Sequence, residues 1–189
     1  MSTQDPALRA AAQHILQDLR ARRPDLESCV PDLLALHGAL ITCYDRGGCL
    51  YTCGNGGSHA DAIHIVGELV KSFERRRPLD PAFVAALEPL QADDPLCTHL
   101  EGGLRAMTLG LNSALKTAVE NDCAHRDIAF AQEAHVMLRP GDVLLALSTS
   151  GNSRNCLMAL RVARARGAAT AAMTGPGGGA MAAAADRSE

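Results

Sequence analysis

Cys49-Leu50-Tyr51-Thr52-Cys53-Gly54-Asn55-Gly56-Gly57-Ser58-His59 is the stretch from which the fold can be read. Cys49 to Cys53 is a short apolar run that reads as a strand. The glycines after it make a tight turn, and the residues from His59 to about Arg75 read as a helix with Ile63, Val66, Leu69, Val70 and Phe73 as its buried stripe. Strand, glycine turn and helix together leave backbone N–H groups free to face an anion, backed by the positive end of the helix dipole. Further along that helix, His64 and Glu68 are four positions apart and so stack on one face. Such a pair can share a divalent metal, or Glu68 can act as a lone general base beside His64. A buried histidine next to a surface charge is the bland alternative, and it loses weight beside an anion seat.

A second stretch repeats the design. Val143-Leu144-Leu145-Ala146-Leu147 is a continuous apolar run of the kind found in a central parallel strand. It meets Ser148-Thr149-Ser150-Gly151-Asn152-Ser153, followed by a helix from about Asn155 to Arg166. Ser, Thr and Asn all cap helices. One or two would be enough for that, so the surplus of hydroxyls points to phosphate binding. Neither glycine turn is a nucleotide motif. The second lacks the Gly-Lys-Ser/Thr of a Walker loop, and in the first His59 stands where a dinucleotide fingerprint needs its third glycine.

Helices are expected over about Asp5–Arg22 and Pro31–Arg46, ahead of the first strand, packing on the sheet or on a neighbouring subunit. Strands are expected over Leu104–Gly110 and Ala168–Met173, and helices over Asn112–Glu120, Asp127–Met137 and Ala180–Ala185. Asn121-Asp122 reads as a turn that could reach sugar hydroxyls. The proline-rich segment from Pro78 to Leu100 reads as an excursion with a short helix at Pro81–Leu87. Two helices followed by repeated β-α units make an α/β fold: an open parallel sheet in a single domain over residues 1–189, with ligands outside the carboxyl ends of the strands.

Composition narrows the function. A hydrophobic share of 47% is enough for a real core, while 3% aromatics and a net charge of −3 argue against nucleic acid. No apolar run reads as a membrane span. The seven cysteines lack CxxC spacing and sit mostly in apolar runs, which suggests a reducing, cytoplasmic setting without a disulfide framework.

Cys53-Gly54-Asn55-Gly56-Gly57-Ser58, Ala62-Ile63-His64, Glu68-Leu69, Arg77-Pro78, Asn121-Asp122, Gly141-Asp142-Val143-Leu144-Leu145, Ser148 to Ser153 and Thr174-Gly175 occur in this order. This closely resembles the phosphoheptose isomerases (sedoheptulose 7-phosphate isomerases) of the sugar isomerase, or SIS, superfamily. The resemblance implies a flavodoxin-like three-layer sheet fold and a homotetramer with sites at subunit interfaces. It implies that Gly56, Gly57, Ser58, Ser148, Thr149, Ser150 and Ser153 hold the phosphate of a sugar phosphate. Asn55 and Asp122 would touch the sugar. Glu68, with His64, would move the proton between C1 and C2 through an enediol, and His64 and Glu68 would ligate one Zn²⁺ per subunit. The product would feed heptose synthesis for lipopolysaccharide or other surface glycans. The resemblance further implies a fifth strand and a helix bearing a Gln and a His that complete the metal site. These are expected to be missing from the 189 residues, so the remaining ligands are not expected in this chain. Ser72 stands where better-known members carry an arginine, with Lys71 beside it as a substitute cation, and the segment Leu79–Glu101 is longer than in compact members. A non-catalytic SIS protein is the alternative: a phosphosugar sensor, or a tetrameric scaffold for a partner such as a replication initiator.

Overall fold

The computed structural model describes residues 6–188, with side chains over 12–186. Asp5, the expected start of the first helix, lies outside the described residues. Among the described residues, β1 (Leu50–Cys53), β2 (Ala106–Thr108), β3 (Val143–Ser148), β4 (Ala169–Thr174) and β5 (Arg187–Ser188) form one parallel sheet in the order β2-β1-β3-β4-β5. The helices are α1 (Pro6–Arg22), α2 (Val30–Asp45), α3 (Gly57–Val70), α4 (Pro81–Leu87), α5 (Leu96–His99), α6 (Ser113–Asp122), α7 (Ala129–Met137), α8 (Arg154–Ala165) and α9 (Gly179–Ala184). Parallel neighbours need a crossover between them, which is why helices alternate with strands.

Side-chain alternation along β1 and β3 builds the layers. Tyr51, Cys53, Leu144 and Ala146 face α7, α8 and α9, meeting Phe130, Ala134, Leu138, Cys156, Leu160 and Met181. Leu50, Val143, Leu145 and Leu147 face the opposite way, onto Leu36 and Cys43 of α2 and Ala62 of α3. Two buried polar links set the register. The Asp142 carboxylate accepts the N–H of Cys49 and that of Arg139, each at 2.8 Å, pinning the start of β1 to β3. At the other end, the Thr52 and Thr108 hydroxyls share a 3.0 Å hydrogen bond between β1 and β2, and both reach the Ala62 carbonyl of α3.

The chain passes from β1 out to β2, then crosses back over β1 to β3. The loops leaving β1 and β3 therefore part at a switch point of the strand order, where an open α/β sheet has its natural crevice.

Several expectations are corrected. α3 stops at Val70, five residues before Arg75, because the chain turns extended at Lys71 (φ −122°, ψ 136°). Its inward face is Ala62, Ile65 and Leu69, whereas Phe73 is 82% exposed and Ile63 and Val70 also face outward. β2 is shorter than Leu104–Gly110. Asn121 and Asp122 belong to the last turn of α6, not to a turn after it. The fifth strand is present: Arg187 and Ser188 pair with Ala171 and Ala172. The Asp186 carboxylate draws the chain there by accepting the N–H (3.0 Å) and hydroxyl (2.9 Å) of Thr170. Finally, the 22 residues Pro24–Asp45 are long and apolar enough to cross a membrane by length and composition, contrary to the sequence reading. The same apolarity packs Leu36 and Cys43 of α2 onto the sheet.

Candidate functional site

The β1–α3 and β3–α8 loops lie side by side because β1 and β3 are paired, Cys53 opposite Ala146. Each ends in a helix without a side-chain cap: Gly56 occupies the cap position of α3 (φ +54°) and Ser153 that of α8. At each N-terminus the cap residue's side chain takes none of the first-turn N–H donors, although in α8 the Asn155 side-chain oxygen accepts the Cys156 N–H at 3.0 Å. Ser153 is the residue type that caps best, yet its hydroxyl instead shares a 2.8 Å hydrogen bond with the buried Ser148 hydroxyl. The capping explanation of this loop therefore fails at the residue where it applies most directly.

Ser150 and Asn152 shape the rest of the loop. The Ser150 hydroxyl accepts the Asn152 N–H at 3.2 Å, and the Asn152 side chain donates to the Ser150 carbonyl at 2.8 Å. Thr149 and Ser150 are exposed at the crest. The loop after β4 supports this one from behind. Gly175 donates to the Thr149 carbonyl at 3.0 Å, and the N–H of Met181 to the Gly151 carbonyl at 2.9 Å. The fit is tight enough that a Cβ on Gly151 (φ +63°) would enter the Gly178 carbonyl.

Asn55 and Asn155 tie the two loops together, one hundred positions apart in the chain. The Asn55 amide donates to the Asn155 oxygen at 2.9 Å, and the Asn155 amide donates back to the Asn55 oxygen at 2.8 Å. Asn55 also reaches the Cys156 sulfur at 3.8 Å. Asn155 was not singled out from the sequence, where it reads as an ordinary first-turn helix residue. Beneath the clamp, Cys53 and Cys156 are fully buried side by side in the core. The Cys53 thiol is held well above the usual range, chiefly by its hydrogen bond to Cys156 and then by burial. The same bond lowers Cys156.

Among the other expected site residues, Gly56 occupies the cap position of α3 and Gly57 and Ser58 open its first turn. His64 and Glu68 follow on the same helix. Their side chains meet, Nε2 to Oε1 at 2.8 Å, with His64 75% and Glu68 40% exposed. Among the described residues no group of three His, Cys, Asp or Glu side chains forms, so two donors stand where zinc takes three or four. Asp122 ends α6, and its carboxylate accepts from the Asn121 side chain at 2.9 Å. Among the described residues no hydrogen bond joins it to either loop. His59 stacks its ring on Phe130 of α7, with centroids 6.4 Å apart. Ser72 is buried against Glu101 and gives its hydroxyl to that carboxylate, while Lys71 stays exposed with its ammonium 3.5 Å from the same group.

A separate groove of about 510 Å³ opens at the β2 edge between α6 and α7. Met107, Leu109, Leu111, Val136 and Met137 give it a mostly apolar wall, with Asn112, Gln132 and the carboxylate of Glu133 at its polar positions and no cation to grip a phosphate.

The sequence profile of the SIS domain family matches residues 27–101 and 101–175. A phosphoheptose isomerase of Roseiflexus sp. (strain RS-1) is 33% identical over 180 residues, 95% of this chain and 79% of the relative. A phosphoheptose isomerase of Thiobacillus denitrificans is 38% identical over 143 residues, 76% of this chain and 60% of the relative. Among solved structures, a phosphoheptose isomerase of Neisseria gonorrhoeae superimposes with a TM-score of 0.68 at 27% identity, covering 96% of this chain and 84% of that one.

Proposed function

The chain belongs to the SIS domain family, on its phosphoheptose isomerase branch, and from that premise we propose that it interconverts D-sedoheptulose 7-phosphate and D-glycero-D-manno-heptose 7-phosphate. One observation carries the reading. Two helices start from the paired strands at the β1/β3 switch point with no cap from their cap residues, and one of them carries a hydrogen-bonded His–Glu pair on its open face.

The spacing supports a long sugar. At 1.5 Å per residue, His64 lies about 9 Å and Glu68 about 15 Å beyond Ser58 along the α3 axis. Helical side chains lean back toward the N-terminus, which shortens that gap. A seven-carbon chain gripped by its phosphate can lay C1 and C2 beside Glu68, whereas a triose cannot.

Ser58, Ser148, Thr149, Ser150 and Ser153, with the α3 and α8 N–H groups, hold the phosphate. Asn55 and Asp122 contact the sugar hydroxyls. Glu68 removes a proton from C1 of the ketose, the electron pair moves to the C2 carbonyl, whose oxygen takes up a proton to give the enediol, and return of a proton to C2 as O1 loses its own gives the aldose. His64 holds the Glu68 carboxylate in place. The zinc ion of this family would take His64 and Glu68 as two donors, the rest coming from outside the described residues; it would polarise the sugar oxygens. Exposure of the pair, flanked by outward-facing Ile63, Val70 and Phe73, supports a homotetramer whose sites close at subunit interfaces. The setting is cytoplasmic, and the product goes to bacterial surface glycans.

Sedoheptulose 7-phosphate incubated with the protein, with and without zinc, and followed by NMR in D₂O gives the aldose with deuterium at C2. Glu68→Gln abolishes that exchange and leaves phosphate affinity unchanged. Tight phosphate binding without turnover under any metal condition would instead favour a phosphosugar-binding module, for which the two-donor metal set is the motive.

A further inference from the structure

Glu68 sits in the last turn of α3, where carbonyl groups have run out of helical N–H partners. A base in such a turn is carried on backbone that frays unless something holds it. Lys71 N–H closes onto the Gly67 carbonyl at 3.0 Å. The next two carbonyls are held by one side chain. The Arg77 guanidinium donates through Nη2 to the Glu68 carbonyl at 3.1 Å and to the Leu69 carbonyl at 2.7 Å. A cation at that position also complements the negative end of the helix dipole.

The same guanidinium reaches the far side of the excursion. Nε donates to the Gly102 carbonyl at 2.9 Å, and the Gly102 N–H returns to the Arg77 carbonyl at 2.8 Å. Leu104 N–H adds a 2.8 Å bond to the Leu69 carbonyl. The excursion is therefore closed at its stem, and the stem is fastened to the turn that carries Glu68. A Cβ on Gly102 would lie 2.5 Å from the Pro78 carbonyl oxygen, so the closure leaves no room for a side chain there.

We propose that Arg77 is a positioning residue for Glu68: it fixes the backbone beneath the base and makes that position depend on closure of the 78–101 excursion. This rests on the reading of Glu68 as the base. The full chain tests it with Arg77→Met, Arg77→Lys and Arg77→Ala beside Glu68→Gln. Arg77→Met lowers kcat about 10- to 100-fold with KM for the sugar phosphate and Kd for inorganic phosphate within about 3-fold, because the seat lies at the opposite end of α3. Arg77→Lys recovers little, since an ammonium cannot bridge three carbonyls as a guanidinium fork does. Added methylguanidinium restores turnover to Arg77→Ala. Hydrogen exchange over residues 69–73 quickens about 10-fold in Arg77→Met while the sheet stays protected.

Unchanged kcat in Arg77→Met, or a loss shared equally by phosphate binding and not rescued by methylguanidinium, overturns the proposal. If Arg77→Met does not fold, Arg77→Lys decides by the same split between kcat and phosphate Kd. Retained activity in Glu68→Gln would instead remove the base reading itself, so the two failures are told apart.

Discussion

Asn155→Ala should cripple the phosphate seat without unfolding the protein. The substitution removes both hydrogen bonds of the Asn55–Asn155 clamp, 2.9 and 2.8 Å long, and also the oxygen that accepts the Cys156 N–H at 3.0 Å, a local loss that Asn55→Ala does not share. A neutral hydrogen bond contributes about 0.5–1.5 kcal/mol net, so the pair is worth about 1–3 kcal/mol. The clamp is at the surface, where water replaces part of that. About 1–2 kcal/mol is then left for keeping the loops in register, which corresponds to a loss of about 5- to 30-fold in affinity. Inorganic phosphate is the right probe, because it has no sugar for Asn55 to touch. Calorimetric titration of wild type, Asn55→Ala, Asn155→Ala and the double variant forms a thermodynamic cycle. The double variant should bind no more weakly than the weaker single variant, giving a coupling of about 1–2 kcal/mol. Additive losses, or affinity untouched by Asn155→Ala, would refute the idea that the clamp holds the two loops as one seat.

Asp142→Ala strips the charged acceptor from the Cys49 and Arg139 N–H groups, and at about 1.5–3 kcal/mol per charged hydrogen bond it should cost about 3 kcal/mol or more in urea unfolding. Gly151→Ala puts a methyl group into the Gly178 carbonyl at φ +63°; a loss of about 1–3 kcal/mol from backbone strain alone, with weakened phosphate binding, is expected in thermal melts and titrations. Burial pushes the Cys43 thiol up to about 11 from 9.0, with the Asp142 carboxylate adding to it. Its folded pKa exceeds the unfolded one, so its contribution is full below pH 9 and is lost as pH rises through 11. Urea midpoints should fall over that window, and less steeply in Cys43→Ala.

Much of the sheet was legible because its signals are local. Val143 to Leu147 is apolar on both faces, and the structure buries it on both faces. The glycine turn before α3 and the hydroxyl loop before α8 were legible for the same reason: one short stretch supplies all that the feature needs. What escaped was set by distant partners. Nothing between Lys71 and Arg75 ends a helix; Arg77 and Glu101 end it by taking its last carbonyls and Ser72. β5 escaped because Arg187-Ser188 is polar and joins the sheet through Asp186 and Thr170. Asn155 escaped because its partner is one hundred positions away. Asn121-Asp122 has the composition of a turn, but the helix capped by Asn112 runs through it.

The backing of the Ser148–Ser153 loop by the glycines after β4 divides the molecule's tolerance of change in two. Gly151 lies so close to the Gly178 carbonyl that neither loop can gain a side chain there without losing the other. The outer face of α3, with Ile63, His64 and Val70 open to the outside, carries no such constraint within this chain. Inheritance should therefore conserve the grip on phosphate and let the head-group end vary. A library aimed at a new sugar belongs at the outward-facing Ile63 and in the excursion away from its stem, with His64, Glu68, Arg77 and the β3 and β4 loops left untouched.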